Sequence, residues 1–447
     1  MHDLLALSML ATVGLLVGCW VVILTLKRYE FSIFLIILSP WLSAIFIPNS
    51  FTGIDAEDAT VGSYLRIMLV VLIGAVGLVK YLQERLVDFE PVPAHLILLA
   101  VFCLMAVVST AYSIDRRFTF IRSFSFLPFF CFLLGLNQWL RSWDQVNKLL
   151  NAVFWAICFY LFVNVIVTPV LPGRVWWYVD TSRYMGLWSQ PNQMGGFCMI
   201  SYPVLFWKIS NSDSRMKWFV GFLILTTAVL HILTGSRTTL IAAALGTFLW
   251  LIVMRKPFKF ILMVVLLSVF AAAVMILRPS NLTRSGGFES LSTFTGRTEI
   301  WTASLTLAKE RPIIGYGYGV GGKIFEDPRF YKPKEELWSG SAKVSLHNGY
   351  LSSLISLGIP GTLLLYFLLI LPFVRSRRVV KGEFKALVLM VIFISFLTNF
   401  LEAVIGGSSG MVSLVLWILW AIAGKIPAFQ SVGVSHRYSQ TLEVNPA

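Results

Sequence analysis

Apolar stretches of about 20 residues, each long enough to cross a bilayer, follow one another along almost the whole chain. They lie near 4–26, 31–47, 65–82, 93–113, 119–139, 149–168, 193–208, 217–234, 237–254, 258–277, 347–374, 384–402 and 409–424. Short basic turns join most of them. Residues 278–346 are the exception, and a connection of that length is more often functional than filler. The pattern predicts an all-α, polytopic integral membrane bundle of about 12–13 helices with one large extracytoplasmic loop. It divides into helices one to ten (1–277), a large periplasmic loop with short helices of its own (278–346), the last three helices (347–424) and a cytoplasmic tail (425–447).

Composition supports a membrane chain. Charged residues make up 13%, against about 25% in a soluble domain, and mean hydropathy is +0.78. The net charge of +14 raises the question of nucleic acid. The lysine and arginine bias of cytoplasmic membrane loops explains much of that charge, and no basic, aromatic-interleaved soluble module is present to bind a nucleic acid. The five cysteines sit in or beside apolar spans without metal-ligand spacing, as small packing residues do. Met1–His2–Asp3 lacks the basic start of a signal peptide, so Leu4–Leu26 reads as a retained helix.

Lysine and arginine orient the bundle. With the N-terminus outside, the inside turns collect groups such as Lys208/Arg215/Lys217, Arg255/Lys256/Lys259 and Arg375/Arg377/Arg378/Lys381/Lys385. The outside turns, the long loop apart, hold Arg66, Arg116, Arg117, Arg122, Arg174, Arg183 and Arg237. Long loops are exempt from the positive-inside rule, so the loop faces out and the C-terminus in. Arg66 and Arg116 read as arginines snorkelling to headgroups. The other outside arginines, Arg122 and Arg183 among them, sit in contexts that suggest substrate contact.

Four outward sites attract attention. Ahead of the seventh span, Val175-Trp176-Trp177-Tyr178 reads as an interfacial aromatic belt. It is followed by Asp180, Arg183 and Pro191-Asn192, with Asn192 a fair helix N-cap. The eighth and ninth spans are joined by Thr234-Gly235-Ser236-Arg237. Ser236 is placed to cap, and Arg237 falls in a first helical turn, where a cation opposes the macrodipole unless an anion also binds. In the long loop Thr295 can cap a helix that opens Gly296-Arg297-Thr298-Glu299 and closes at Arg311-Pro312. The eleventh span opens Ser345-Leu346-His347-Asn348; Ser345 as cap puts His347 in the first turn, where the positive helix end favours a neutral imidazole. Leu357-Gly358-Ile359-Pro360-Gly361 should then kink the helix. The glycine run GYGYGVGG (315–322) follows a helix rather than a strand, so it is no dinucleotide fingerprint. It reads as a flexible turn, with its backbone amides near a substrate, and 323–343 as charged, mobile chain.

Outward helix N-termini with guanidinium groups suit a di-anion such as a diphosphate. Group transfer outside the cytoplasmic membrane, without ATP, needs a lipid-borne activated donor. In that chemistry Arg237 and Arg297 stabilise the leaving diphosphate, and His347 takes a proton from an acceptor hydroxyl. Glu299 is the alternative base; Glu289, Glu335 and Glu336 are weaker ones. Arg183, Asn192, Asn348 and Arg122 are further substrate-binding candidates. The outer loops carry no Asp-x-Asp and no His/Cys/Asp cluster, so neither metal nor cofactor is expected.

RYMGLWSQPNQMGGF, LTGSRTTLIAAALG, FTGRTEIWTASLTLAKERPIIGYGYG and SLHNGYLSSLISLGIPG together resemble the O-antigen ligase and Wzy-type polysaccharide polymerase superfamily, most closely its exopolysaccharide polymerase branch. The resemblance implies a GT-C-like bundle of ten to fourteen helices with one large periplasmic loop. It implies metal-independent, inverting glycosyl transfer from an undecaprenyl diphosphate-linked oligosaccharide to a glycan acceptor in the bacterial inner membrane. It gives the diphosphate to Arg237 and Arg297, and makes His347 the base or acceptor positioner. A chain-length regulator or export machinery would be partners beside membrane lipid. Polymerisation of repeat units is the first reading and ligation onto lipid A core the second. Transport is the third: transport sites place ionisable residues near the midplane on broken helices, whereas these spans are almost free of charge and Glu402 sits at an end.

Overall fold

The computed structural model describes residues 18, 20–45, 61–87, 92–177, 183–256, 297–327, 329, 346–377, 382–405 and 410–443. The protein is a polytopic helical membrane protein. Among the described residues six helices are long and apolar enough to cross a membrane, at Tyr64–Arg85, Ala94–Ala111, Arg116–Trp139, Trp143–Val170, Ser214–Leu233 and Gly349–Ser376. The tenth expected span, Thr295 and Ser345 lie outside the described residues, as does most of the first span.

In chain order the helices are α1 (Tyr29–Ile45), α2 (Val61–Val87), α3 (Ala94–Val108), α4 (Arg116–Phe124), α5 (Phe126–Trp139), α6 (Trp143–Val170), α7 (Pro191–Ser210), α8 (Ser214–Leu233), α9 (Arg237–Val253), α10 (Arg297–Glu310), α11 (Gly349–Ser376), α12 (Gly382–Thr398) and α13 (Met411–Glu443). Between α6 and α7 a two-residue antiparallel pair joins β1 (Trp176–Trp177) to β2 (Arg183–Tyr184). The first half of α13 is the centre of the bundle. Its run from Leu414 to Ala423 is buried on every face, as a helix apolar all round should be. Trp417 and Trp420 pack edge-on to each other at 5.2 Å, and the Trp420 indole donates to the Leu368 carbonyl at 2.8 Å.

Glycine sets the closest helix contact. The α2 backbone lies against α5 with Gly74 facing Pro128 and Gly77 facing Cys131 and Phe132. Both residue numbers rise together, so the two helices run in the same direction, as the charge pattern predicts. Small residues at the seam let the backbones approach, which is how helices associate in lipid.

The expected break in α11 occurs at Gly358, which takes φ 67° and ψ −172°. Its consequence extends beyond the helix. Ile359 N–H would ordinarily bond to Ile355 but donates to Pro312 O at 2.7 Å, and Pro360 has no N–H for Ser356. Two carbonyls are thereby left open within the span, where an unpaired backbone group is costly. The glycine run fills both. Tyr316 N–H donates to Ile355 O at 2.8 Å and Gly317 N–H to Ser356 O at 3.0 Å. The run is therefore docked on the kink rather than a flexible turn, with Tyr316 and Val320 buried. A second tie holds its far end. The Lys323 ammonium meets Asp115 at 2.9 Å, and Asp115 Oδ1 caps Phe118 N–H at 2.9 Å. Partial burial opposes ionisation of that carboxyl, but the Phe118 N–H and Lys323 outweigh it and hold it below the usual aspartate range.

Gly358→Ala should therefore lower stability by more than ~1 kcal/mol, since alanine is strained at positive φ and its Cβ would meet the Ile313 carbonyl. Thermal unfolding of the purified protein measures this; an unchanged midpoint would show that the exchange of hydrogen bonds at the kink is not needed.

Candidate functional site

The starts of α7, α9 and α11 and the ends of α8 and α12 gather at one end of the bundle. Arg183 reaches this place from β2. Its neighbour Tyr184 is buried and bonds to Thr168 at 2.9 Å, while Met185 and Gly186 N–H both donate to Val175 O. From that anchor Arg183 Nε donates to the carbonyl of Thr234, the C-cap of α8, at 2.7 Å, and Nη2 donates to Asn192 Oδ1 at 2.9 Å.

Asn192 is not the N-cap it was expected to be. Gln190 occupies that position and Pro191 opens the helix, so the Asn192 side chain is released for other work. Its amide nitrogen donates to Glu402 Oε1 at 2.9 Å. The second oxygen of Glu402 lies 3.0 Å from His347 Nδ1. The polar residues thus form one continuous chain, Arg183, Asn192, Glu402 and His347.

His347 also departs from expectation. The cap of α11 is Asn348, whose Oδ1 accepts from the N–H groups of Tyr350 and Leu351 at 3.0 Å each. His347 precedes the helix, in the left-handed region at φ 45°. That conformation is uncommon for a residue with a side chain, and such outliers cluster at functional sites. A neutral imidazole whose Nδ1–H donates to a carboxylate keeps its lone pair on Nε2. The His347 side chain is 31% exposed and that of Glu402 20%, so the ring is reachable from outside while its partner is half enclosed.

Asn399 places Glu402. Its backbone carbonyl accepts from Gly349 N–H at 2.8 Å. Its Oδ1 accepts from Val404 and Ile405 N–H at 3.1 and 3.0 Å, and its Nδ2 donates to the Tyr366 hydroxyl at 2.9 Å. One fully buried asparagine therefore folds the turn after α12 back over the start of α11. Sequence reading missed Glu402 and Asn399. The available signal was an acid at the outer end of a span on the face where arginines collect.

Arg237 is the first residue of α9 and exposed. Ser236 holds the cap position as expected, but without a side-chain cap bond. The turn is set instead by Gly235 at φ 59°, by Ser236 N–H donating to Thr234 Oγ1 at 3.2 Å, and by the buried His231–Thr239 bond at 2.9 Å. Gly235 backs onto Arg183 Nε, so the same turn carries Arg237 to the Arg183 end of the network. Arg297 opens α10. The Arg297 and Glu299 side chains lie outside the described residues, but their helix is placed. One turn on, the Trp301 indole donates to Leu346 O at 3.1 Å, beside His347. Arg122 stands apart from this network, its guanidinium 4.9 Å from the centre of the Phe118 ring.

Residues 222–367, which hold Arg237, Arg297, His347 and Asn348, match the family model described as O-antigen ligase. This stretch is similar to O-antigen ligase domains. The chain is 27% identical over 226 residues to the exopolysaccharide production protein ExoQ of Rhizobium meliloti, covering 48% of this chain and 51% of that one. It is 24% identical over 269 residues to the ComP-specific O-oligosaccharyltransferase of Acinetobacter baylyi, covering 56% of this chain and 48% of the other. The chain thus spans about half the length of the curated relatives it matches. Arg183, Asn192 and Glu402 lie outside the family-matched stretch and meet it through the fold.

Gly349→Ala should disrupt the site through packing. A Cβ there would overlap the Asn399 amide, and overpacking of this kind costs about 1–3 kcal/mol. The melting temperature of the purified variant should fall; wild-type melting would show that the Asn399 turn yields freely.

Proposed function

We propose that the protein is a membrane glycosyltransferase that polymerises lipid-linked oligosaccharide repeat units at the outer face of the bacterial inner membrane. The chain of contacts from Arg183 through Asn192 and Glu402 to His347 carries this reading, because it joins a cation suited to phosphate with a carboxylate-oriented imidazole. The donor is a glycan on polyprenyl diphosphate. The acceptor hydroxyl attacks the anomeric carbon, a carbon–oxygen bond forms, and the bond from that carbon to the diphosphate breaks. Nε2 of His347 takes the hydroxyl proton, and Glu402 stabilises the imidazolium that results. Arg183, Arg237 and Arg297 hold the charge that develops on the departing diphosphate; arginine suits this because its planar fork binds two phosphate oxygens at once. A single displacement of this kind inverts the anomeric centre.

A ligase that moves finished glycan to another acceptor is the second reading. It is favoured by the family description and by the oligosaccharyltransferase relative. Polymerase ranks first on the exopolysaccharide relative.

A deletion strain distinguishes the two. Single lipid-linked repeat units without polymer, beside intact lipopolysaccharide, support the polymerase. Full-length polymer stranded on its carrier, beside bare lipid A core, supports the ligase. An unchanged glycan profile rejects both. Within the site, Glu402→Gln keeps one acceptor oxygen, for His347 or for Asn192 but not for both, and loses the charge. Turnover should drop about 10²-fold, the low end for a general-base system, with little change in donor KM. A change confined to KM would remove Glu402 from the proton transfer. Arg237→Ala should abolish transfer in protein that still folds, and wild-type rates would exclude that arginine.

A further inference from the structure

The exposed face of α11 stops at its kink. On the Arg375 side of Gly358, the exposed residues Ile359, Leu363, Phe367, Ile370 and Val374 fall on one helical stripe. From Gly349 to Gly358 no residue is exposed. The chain that takes over the surface there is the turn after α10, where Ile313 is 70% exposed and Ile314 47%. This turn lies directly on the kink. Ile359 N–H donates to Pro312 O, and a Cβ on Gly358 would meet the Ile313 carbonyl. The apolar stripe thus leaves α11 at Ile359 and resumes on the turn beside it.

Two helices independently give the height of this turn in the membrane. Val374 is the last apolar residue before Arg375 and marks one edge of the apolar core. From there to Ile359 is about 22 Å along the helix. The core is about 30 Å thick, so the kink and its turn lie about 8 Å inside the opposite edge. Tilt shortens the rise and sets them deeper. Helix α3 agrees. It opens at Ala94, and Ser109 at its far end accepts from Tyr318 N–H at 2.9 Å, again about 22 Å along. Irregular backbone is tolerated at that depth only where it is held against protein. Here Tyr316 and Gly317 N–H fill the two carbonyls opened in α11, Tyr316 O accepts from Ile114 N–H at 3.1 Å, and Gly315 N–H donates to Arg311 O at 3.1 Å. The backbone faces inward while the two isoleucines face out.

We propose that the turn Pro312–Ile314 is a membrane-inserted wedge, with Ile313 and Ile314 among the acyl chains of bulk lipid in the leaflet on the His347 side. The depth is that at which the apolar faces of interfacial segments lie. Lys309, Glu310 and Arg311, exposed just ahead of the turn, give the wedge a charged border toward the headgroups. Bulk lipid is the occupant because the wedge continues a stripe that runs along α11 as far as Val374. The wedge roots α10, the helix that opens at Arg297, in the membrane. On the donor-site reading above, this fixes the height at which Arg297 meets a lipid-borne phosphate. That consequence rests on the reading; the insertion itself does not.

The test places a fluorescent probe on the turn. Ile313→Cys, in full-length protein whose five native cysteines are changed to alanine, is labelled with a nitrobenzoxadiazole dye and reconstituted in phosphatidylcholine vesicles. Phe367→Cys, on the α11 stripe, is the lipid-facing control. Lipids brominated along the acyl chain should quench both probes, and aqueous iodide neither. Quenching of the Ile313 probe by iodide alone overturns the wedge and puts the turn in water. Protection of that probe from both quenchers also overturns it, and identifies a protein cover, either another segment of this chain or a second copy. A second measurement keeps the native cysteines. In lipid nanodiscs Ile313→Lys/Ile314→Lys should melt several degrees below wild type, because lysine is costly among acyl chains, and Ile313→Val/Ile314→Val should melt as wild type does. Wild-type melting of the lysine variant overturns the wedge, since a water-facing turn accepts lysine freely. Neither readout uses transfer activity, so failure of the donor site would leave the wedge standing.

Discussion

The two oxygens of Glu402 hold the site together. One accepts from Asn192 on α7 and the other faces His347 ahead of α11. A carboxylate at the rim of an apolar bundle is costly to enclose unless its oxygens are satisfied. Meeting that requirement draws the starts of two helices to the end of a third. Arg183 then binds Asn192 from outside and ties in the end of α8. The network is therefore a packing constraint as well as a set of chemical groups. The imidazole is oriented by the same contact that positions the helix it precedes.

The bundle could be read from the chain because it follows from local composition. Apolar length predicts spans, and lysine and arginine bias predicts their direction. The parallel α2–α5 seam and the common end shared by Arg183, Asn192, Arg237 and His347 agree with that direction. Local signals were weaker at helix ends. Asn192 and Ser345 both looked like caps because capping residues are recognised by type and spacing. Asn192 is recruited by partners far away in sequence, and the cap of α11 falls at Asn348. Glu402 could not be assigned a role, since its importance depends on Asn399 folding the following turn over Gly349. No periodicity reports a contact of that kind.

The glycine run shows why motif and context must be weighed together. Its spacing invites a phosphate-binding reading, and its position after a helix rejects one. Its observed use is to complete hydrogen bonds that a proline and a left-handed glycine open in α11. Glycine is required because the approach is too close for a side chain: a Cβ on Gly315 would meet the Ile355 carbonyl at 2.5 Å, and one on Gly321 the Ser352 hydroxyl at 2.6 Å.

This exchange has a mechanical result. In lipid a helix normally satisfies its own backbone, so its outer and inner halves form one ladder. At Gly358 the ladder of α11 is interrupted, and the outer half bonds to the loop. The outer half carries the Asn348 cap, the left-handed His347 and the contact to Asn399. Its position is therefore set by the loop that follows α10 and by α12 rather than by the other half of its own span. Trp301 of α10 adds to the same coupling through Leu346 O. The loop thus builds the site in two ways: it supplies the helix that begins at Arg297, and it holds the half-helix on which His347 is placed.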